Sequence, residues 1–352
     1  MKTADVAILG SGSLANGIVH ALSQVSAGSL QIAIIGRSTA KISRMALIAN
    51  ARTASFGTRL FFFPLAMPQF TALAFSRAFR SLKPRVVVLA ASLHSPWESF
   101  QTQSAWTKLI AAGGFGITLP LQLKFAADVS RGAANSDTAI VNACYPDGVN
   151  LVLHRLGFRP TCGIGNSAIV EAFCRSHPSV GADVRVVGHH GHLTAWLKGN
   201  SSQSQPRVWV NGKERKSLRL RPDLGRIGEE LNNVTAATAT RVIMSLLSGG
   251  TLHTSVPGVA GLPGGYPFVL KGRKFTLRLP SGITSAEAIA HNKTGERLDG
   301  LDLESDVKFV GKARRFLTDV GFEYAEGFNL GEWQCVCDRM VALRDRLRQT
   351  KV

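Results

Sequence analysis

The chain has 352 residues and carries 41 Lys and Arg against 23 Asp and Glu, a formal net charge of +18. At about 150 residues per domain that length predicts two domains, and 45% apolar with only 18% charged residues excludes a disordered chain. The 35 glycines follow no three-residue period, which excludes collagen, and no apolar run reaches the roughly 18 residues of a membrane span.

The first apolar run, Val6 to Leu9, begins almost at the initiator Met, so no signal or transit peptide is expected. Five cysteines, an odd number in a long chain, argue against a disulfide framework. A soluble protein of the cytoplasm is the expectation. The runs Val6 to Leu9, Ile32 to Ile35, Leu60 to Phe63, Val86 to Leu89 and Ala139 to Val141 read as strands buried on both faces. Between them, Leu14 to Ser26, Ala40 to Ala51, Gln69 to Leu82, Thr107 to Ala112 and Leu119 to Arg131 read as helices. That alternation predicts an α/β fold with a doubly wound parallel sheet.

Near Gly165 the texture changes. Val184 to Val187, Leu193 to Leu197, Val208 to Val210, Val269 to Leu270 and Phe275 to Leu279 read as antiparallel strands. Asp223 to Leu247, Asp302 to Val320 and Gly331 to Arg348 read as helices, and 199–206 and 258–267 as loops. The second half is therefore predicted to be α+β.

Gly10-Ser11-Gly12-Ser13-Leu14-Ala15 follows the first strand and opens a helix. Gly10 permits the tight turn, Gly12 lets the backbone approach a pyrophosphate, and Ala15 keeps helix and strand close. The helix N-terminus then offers unpaired N–H groups to phosphates. Where the second strand ends, an NAD-binding chain places an acidic residue; here stand Gly36, Arg37, Ser38, Thr39 and Lys41. Without a carboxylate and with Arg37 and Lys41 nearby, the site is predicted to favour NADP(H) over NAD(H). Residues 1–165 are thus expected to form an NAD(P)-binding Rossmann domain, and 166–352 an α+β domain for substrate and oligomer contacts.

Further motifs follow in order. Ala90-Ala91-Ser-Leu-His-Ser-Pro-Trp97-Glu-Ser99 closes the fourth strand, Asn142 the fifth, with Pro146 and Asp147 beyond it. Leu156-Gly-Phe158, Cys162-Gly-Ile-Gly-Asn166 and Val186-Val-Gly-His-His190-Gly191 come next. Over about residues 5 to 200 this ordered set resembles the lactate/malate dehydrogenase family. The resemblance implies that His190 is the catalytic acid/base, that Asn142 lies at the cofactor ribose and substrate, and that Ala90 and Ala91 line the nicotinamide path. It also implies a homodimer.

The departures carry equal weight. The family holds its substrate carboxylate with a helix arginine, polarises the carbonyl with a loop arginine, and orients the histidine with a carboxylate. Here Ile169 and Ala172 fall near the expected Asp and Arg positions, and Ser92 to Trp106 contains no Arg or Lys. A simple 2-keto acid would lack its bidentate anchor. Glu171 is the expected replacement for the orienting carboxylate. Trp97, Tyr145, Asp147 and His192 are expected substrate contacts.

The function expected is NADP(H)-dependent hydride transfer at a C–O or C–N bond of a non-standard substrate. Two other readings stand beside it. One is a non-catalytic scaffold whose basic clusters, Lys213 to Arg226, Lys271 to Arg278 and Arg339 to Lys351, hold an acidic peptide or carrier-bound substrate. No nucleic-acid motif accompanies that charge. The other is an NAD- and metal-dependent glycosidase of family 4, suggested by His189, His190 and His192; read as a strand, His190 and His192 would share a face, with Cys144 or Cys162 as a third ligand. The expected site contains no metal.

Overall fold

A computed structural model describes residues 3–177, 180, 183–223 and 228–350. Its central sheet has six parallel strands: β1 (Val6–Leu9), β2 (Leu30–Gly36), β3 (Leu60–Ala66), β4 (Val86–Leu89), β5 (Ala139–Asn142) and β6 (Cys162–Gly163). Their order is β3-β2-β1-β4-β5-β6, with the chain reversing direction across the sheet between β1 and β4. The α/β, doubly wound fold expected from the alternation is borne out.

The helices between these strands are α1 (Ser13–Leu22), α2 (Thr39–Phe56), α3 (Ala72–Leu82), α4 (Glu98–Gln101), α5 (Ala105–Gly113), α6 (Leu119–Gly132) and α7 (Pro146–Arg155). Then follow α8 (Ser167–Ser176), β7 (Val184–Val187), α9 (His190–Leu197), β8 (Arg207–Val210), β9 (Lys213–Arg215), α10 (Leu231–Ser248), β10 (Thr251–Pro257), β11 (Gly265–Lys271) and β12 (Lys274–Leu277). The chain continues with α11 (Ser285–Leu298), β13 (Leu301–Asp302), β14 (Val307–Phe309), α12 (Gly311–Asp319), β15 (Gly327–Phe328) and α13 (Trp333–Gln349). The later strands form three small antiparallel sheets, β7-β8-β9, β10-β11-β12 and β13-β14-β15.

Alternate side chains of β1 point to opposite faces, and two cores result. Val6 and Ile8 pack with α1, α2 and α10, whereas Ala7 and Leu9 pack with α3, α6 and α13. Both cores draw on the two halves of the chain.

Three expectations are corrected. Leu193 to Leu197 lies in helix α9, not a strand, so His190 and His192 do not share a strand face. Its N-cap is His189, a residue outside the usual Ser, Thr, Asp and Asn set, which hid the helix start. Asp302 to Val320 is not one helix: Val307 and Phe309 are buried with Lys308 exposed between them, the period-two pattern of a strand, and only α12 is helical. The long helix placed over Asp223 to Leu247 is α10, beginning at Leu231; residues 224–227, Arg226 of the first basic cluster and Lys351 lie outside the described residues.

Candidate active site

A cleft of about 1160 Å³ opens where β1, β4 and β5 end, lined by Gly10, Ala90 and Ala143 among others. In open sheets of this order, ligands gather at that edge because the crossovers leave to opposite faces there.

One end of the cleft is the glycine loop. Gly10 has φ +134°, and a Cβ there would come within 2.5 Å of the Ala90 carbonyl oxygen, so only glycine fits. Gly12, the N-cap of α1, offers no side-chain cap, and a Cβ on it would meet open space. The first turn of α1 thus has no side-chain cap, and Gly12, Ser13 and Leu14 line the cleft, the arrangement that suits a phosphate. Ser11, Gly12, Ser13, Leu14, Gly36 and Arg37 line this end, with Ala15 buried behind it. Ser38 caps α2, its hydroxyl accepting from the Lys41 N–H at 3.4 Å. Neither Ser38 nor Lys41 lines the cleft, whereas Gly36 and Arg37 do.

The other end is built around His190, the first residue of α9. Its backbone N–H donates to Asp147 Oδ1 at 3.2 Å, and its ring Nδ1 lies 3.0 Å from both carboxyl oxygens of Asp299. Phe115 packs on the ring at 4.8 Å between centroids, and Tyr145 meets it edge-on at 5.5 Å. With Nδ1 engaged, Nε2 is the nitrogen left for a ligand. Asp299 follows α11 and reaches His190 because α9 and α11 cross almost backbone on backbone: a Cβ on Gly191 would lie 2.2 Å from the Gly295 carbonyl oxygen. Larger residues at that crossing would separate acid from base.

Asp299 also accepts from the Tyr145 hydroxyl at 3.1 Å and lies 3.3 Å from His189 Nδ1. Burial alone would raise its carboxyl, but His190 and His189 hold it well below the usual carboxylate range. Burial lowers His189, yet Asp299 and Asp147 carry it above its ordinary value. Burial and the neighbouring carboxylates push Tyr145 well up, so its hydroxyl stays a donor.

Other sequence candidates sit elsewhere. Glu171 is buried, accepting from Arg175 at 2.9 Å and from the Ser255 N–H, and burial raises its carboxyl. The expectation that Glu171 orients His190 is corrected; Asp299 holds that place. Asn142 is buried beneath the cleft, accepting from the Cys144 N–H at 2.8 Å and donating to Asn150 at 2.9 Å, so its amide is already satisfied. Asp147 is likewise buried, taking hydrogen bonds from Asn166 and His190. Asn142 and Asp147 are thus buried behind the cleft lining.

His192 turns away from the cleft, stacking on His291 at 4.3 Å and bonding Thr294 at 2.9 Å; burial and His291 push it down to about 2. It is a packing residue, not a substrate contact. The three adjacent histidines do not converge, and among the described residues no group of three or more His, Cys, Asp or Glu could hold a metal ion. Trp97 does line the cleft, donating to Asn232 at 3.3 Å, while Asn232 donates to Ser13 at 2.7 Å. Trp106 is fully buried and donates to His94. Asp299 and Phe115, which sequence reasoning missed, carried one usable signal: glycines flank both, in 113–116 and at Gly295 and Gly300.

The six-strand order and its three following small sheets give the chain a fold similar to that of lactate and malate dehydrogenases. The malate dehydrogenase of Cryptosporidium parvum is 16% identical, with 85% of this chain and 97% of that one aligned at a TM-score of 0.51. The lactate dehydrogenase of the same organism, solved with lactic acid and nicotinamide adenine dinucleotide, is 14% identical over 85% and 99% of the two chains, at 0.52. A lactate dehydrogenase from a Medee basin deep-sea metagenome is 13% identical over 91% and 99%, at 0.54. No family model matches the chain, and no curated protein sequence gives a significant match. Among the described residues no helix is long and apolar enough to cross a membrane.

Proposed function

We propose that the protein is an NADP(H)-dependent oxidoreductase that transfers hydride to or from a C–O or C–N bond, with His190 as acid/base. The observation that carries this reading is the placement of the Asp299–His190 pair in the same cleft as an uncapped helix N-terminus behind a glycine loop. The glycine loop fits a dinucleotide: Gly12 leaves space where a side chain would block it, and the first turn of α1 has no side-chain cap. When bound, the dinucleotide supplies or accepts the hydride.

The chain's own residues handle the proton. Asp299 holds the hydrogen on Nδ1, so the neutral ring presents its Nε2 lone pair to a substrate hydroxyl, and the protonated ring is stabilised by the same carboxylate in the reverse direction. Asp147 fixes the backbone of His190, and Phe115 and Tyr145 wall the ring from water. NADP(H) is favoured because Arg37, with no acid beside it, lines the cleft where β2 ends.

Calorimetric titration with NADPH and separately NADH tests the reading. NADPH should bind more tightly, and Arg37→Ala should remove most of that preference, by about tenfold or more for a lost charge-assisted contact. If neither nucleotide binds, the oxidoreductase reading fails, and a non-catalytic role toward acidic partners takes its place.

A further inference from the structure

The His190 end of the cleft says what kind of molecule it accepts. Ile169 from α8, Leu193 and Leu197 from α9, Leu231 from α10, and Trp97 and Phe100 from the segment after β4 line the same cleft as His190, and the first five share one apolar cluster. Four cations line the cleft, and all four are exposed: Arg37 at the glycine-loop end, and Lys198, Arg297 and Lys312 elsewhere along its walls. Arg297 is paired with Asp302 at 3.1 Å. Among the described residues no buried guanidinium or ammonium lines it, and Asp299 is its one acidic residue. Arg175, on the helix that carries Ile169, is taken up by Glu171 at 2.9 Å.

A carboxylate next to the reacting carbon would sit close to His190, against Phe115, Tyr145 and these aliphatic walls, beside the Asp299 charge. An anion placed there loses its hydration and meets only neutral donors of the cleft, such as Thr194 and Thr235, in place of a buried charged partner. An apolar substituent in the same place is dehydrated at a gain. The +18 charge of the chain draws anions toward the cleft, but exposed, solvated lysines fix no geometry next to the reacting carbon.

We infer that the substrate is a ketone, or the matching secondary alcohol, with apolar groups on both sides of the reacting carbon and no carboxylate beside it. This rests on the oxidoreductase reading for its chemistry: in the reducing direction the carbonyl carbon takes the hydride from NADPH and its oxygen takes the proton held by His190. The preference between ligands rests only on the walls of the cleft.

The test is a matched pair of probes. 4-Phenyl-2-butanone and 2-oxo-4-phenylbutyrate differ by a methyl in place of a carboxylate on the carbonyl carbon. Their affinities are measured by calorimetry at physiological salt, for the protein alone and with saturating NADPH. The ketone should bind at least about tenfold more tightly. Equal or tighter binding of the oxo acid overturns the inference, as does failure of both probes to bind at millimolar concentration. Failure of the oxidoreductase reading is seen separately, as absence of nucleotide binding while the ketone preference persists. Ile169→Arg places a guanidinium among these walls and should reverse the order of the pair. If that variant fails to fold by its melting curve, Thr194→Arg, at a half-buried position on the same cleft, puts the same question.

Discussion

Asp299 gathers three neighbours around one buried carboxyl: His190 and Tyr145 by hydrogen bond, and His189 at 3.3 Å. Its folded-state carboxyl is held below the unfolded value, so the stability it contributes is complete above about pH 4 and is lost only as pH falls through the folded value. Asp299→Asn removes the charge beside both histidines and leaves the His190 imidazole and the Tyr145 phenol without their common carboxylate acceptor. Urea denaturation at pH 7 should show a loss of about 3 kcal/mol, the cost of breaking a buried pair from one side. The variant should also lose the tautomer preference of His190, visible in the nitrogen shifts of its ring. Retained stability with an unchanged His190 ring would mean that the pair does not form. The sequence made His190 legible through its Gly-x-His-Gly setting, but not its carboxylate. Asp299 lies 109 positions away and meets the ring through the Gly191–Gly295 crossing, of which the glycines themselves are the one local sign. Glu171 was the nearer acid in sequence, and its helix turns it inward to Ser255.

The segment between β4 and α5 shows what an element gains from distant partners. Glu98, at the start of α4, pairs with Arg348 of α13, and His94 Nδ1 lies within hydrogen-bond distance of both Glu98 and the Trp106 indole, serving one of them at a time. Arg344 of α13 donates to the Leu93 carbonyl at 2.6 Å. Burial would raise Glu98, but His94 and Arg348 bring it down to about 2. The clamp is therefore fully present above the ordinary carboxylate value and weakens as pH falls from about 4.5 toward about 2. Glu98→Gln should speed amide hydrogen exchange over residues 92–101 at neutral pH while leaving exchange in β1 unchanged. If exchange in that segment is the same in both proteins, α13 does not hold it. Elements with one strong local pattern, such as Val86 to Leu89, were legible from sequence because their burial is complete on both faces. Short elements were not. In α9 the cap is a histidine and in β14 the strand is three residues long; the longer α11, with its Thr284–Glu287 capping box, also went unread.

Across the whole molecule, length suggested two domains and the change in sequence texture put their boundary near Gly165; the last strand of the parallel sheet, β6, ends at Gly163. The cores run across that division. Ala236, Val242 and Ile243 of α10 complete the core on one face of β1, and Leu301, Phe309 and Met340 complete the core on the other. At the contact of α1 with α10, a Cβ on Gly17 would lie 3.3 Å from that of Ala236. Neither half can leave without exposing apolar surface of the central sheet, so calorimetry should show one cooperative unfolding transition. The transition temperature should respond to salt in a defined direction. With +18 charges on a compact body, self-repulsion opposes folding, and the unfolded chain relieves it by spreading the charge. Raising sodium chloride from about 0.01 to 0.15 M shortens the screening length from about 30 to 8 Å. That spares contact pairs such as Arg207–Glu214 while weakening repulsion between clusters on different faces. The transition should therefore move upward by a few degrees and stay single. Two transitions with separate salt responses would mean that the halves fold independently, whereas a downward shift would mean that surface ion pairs outweigh the repulsion.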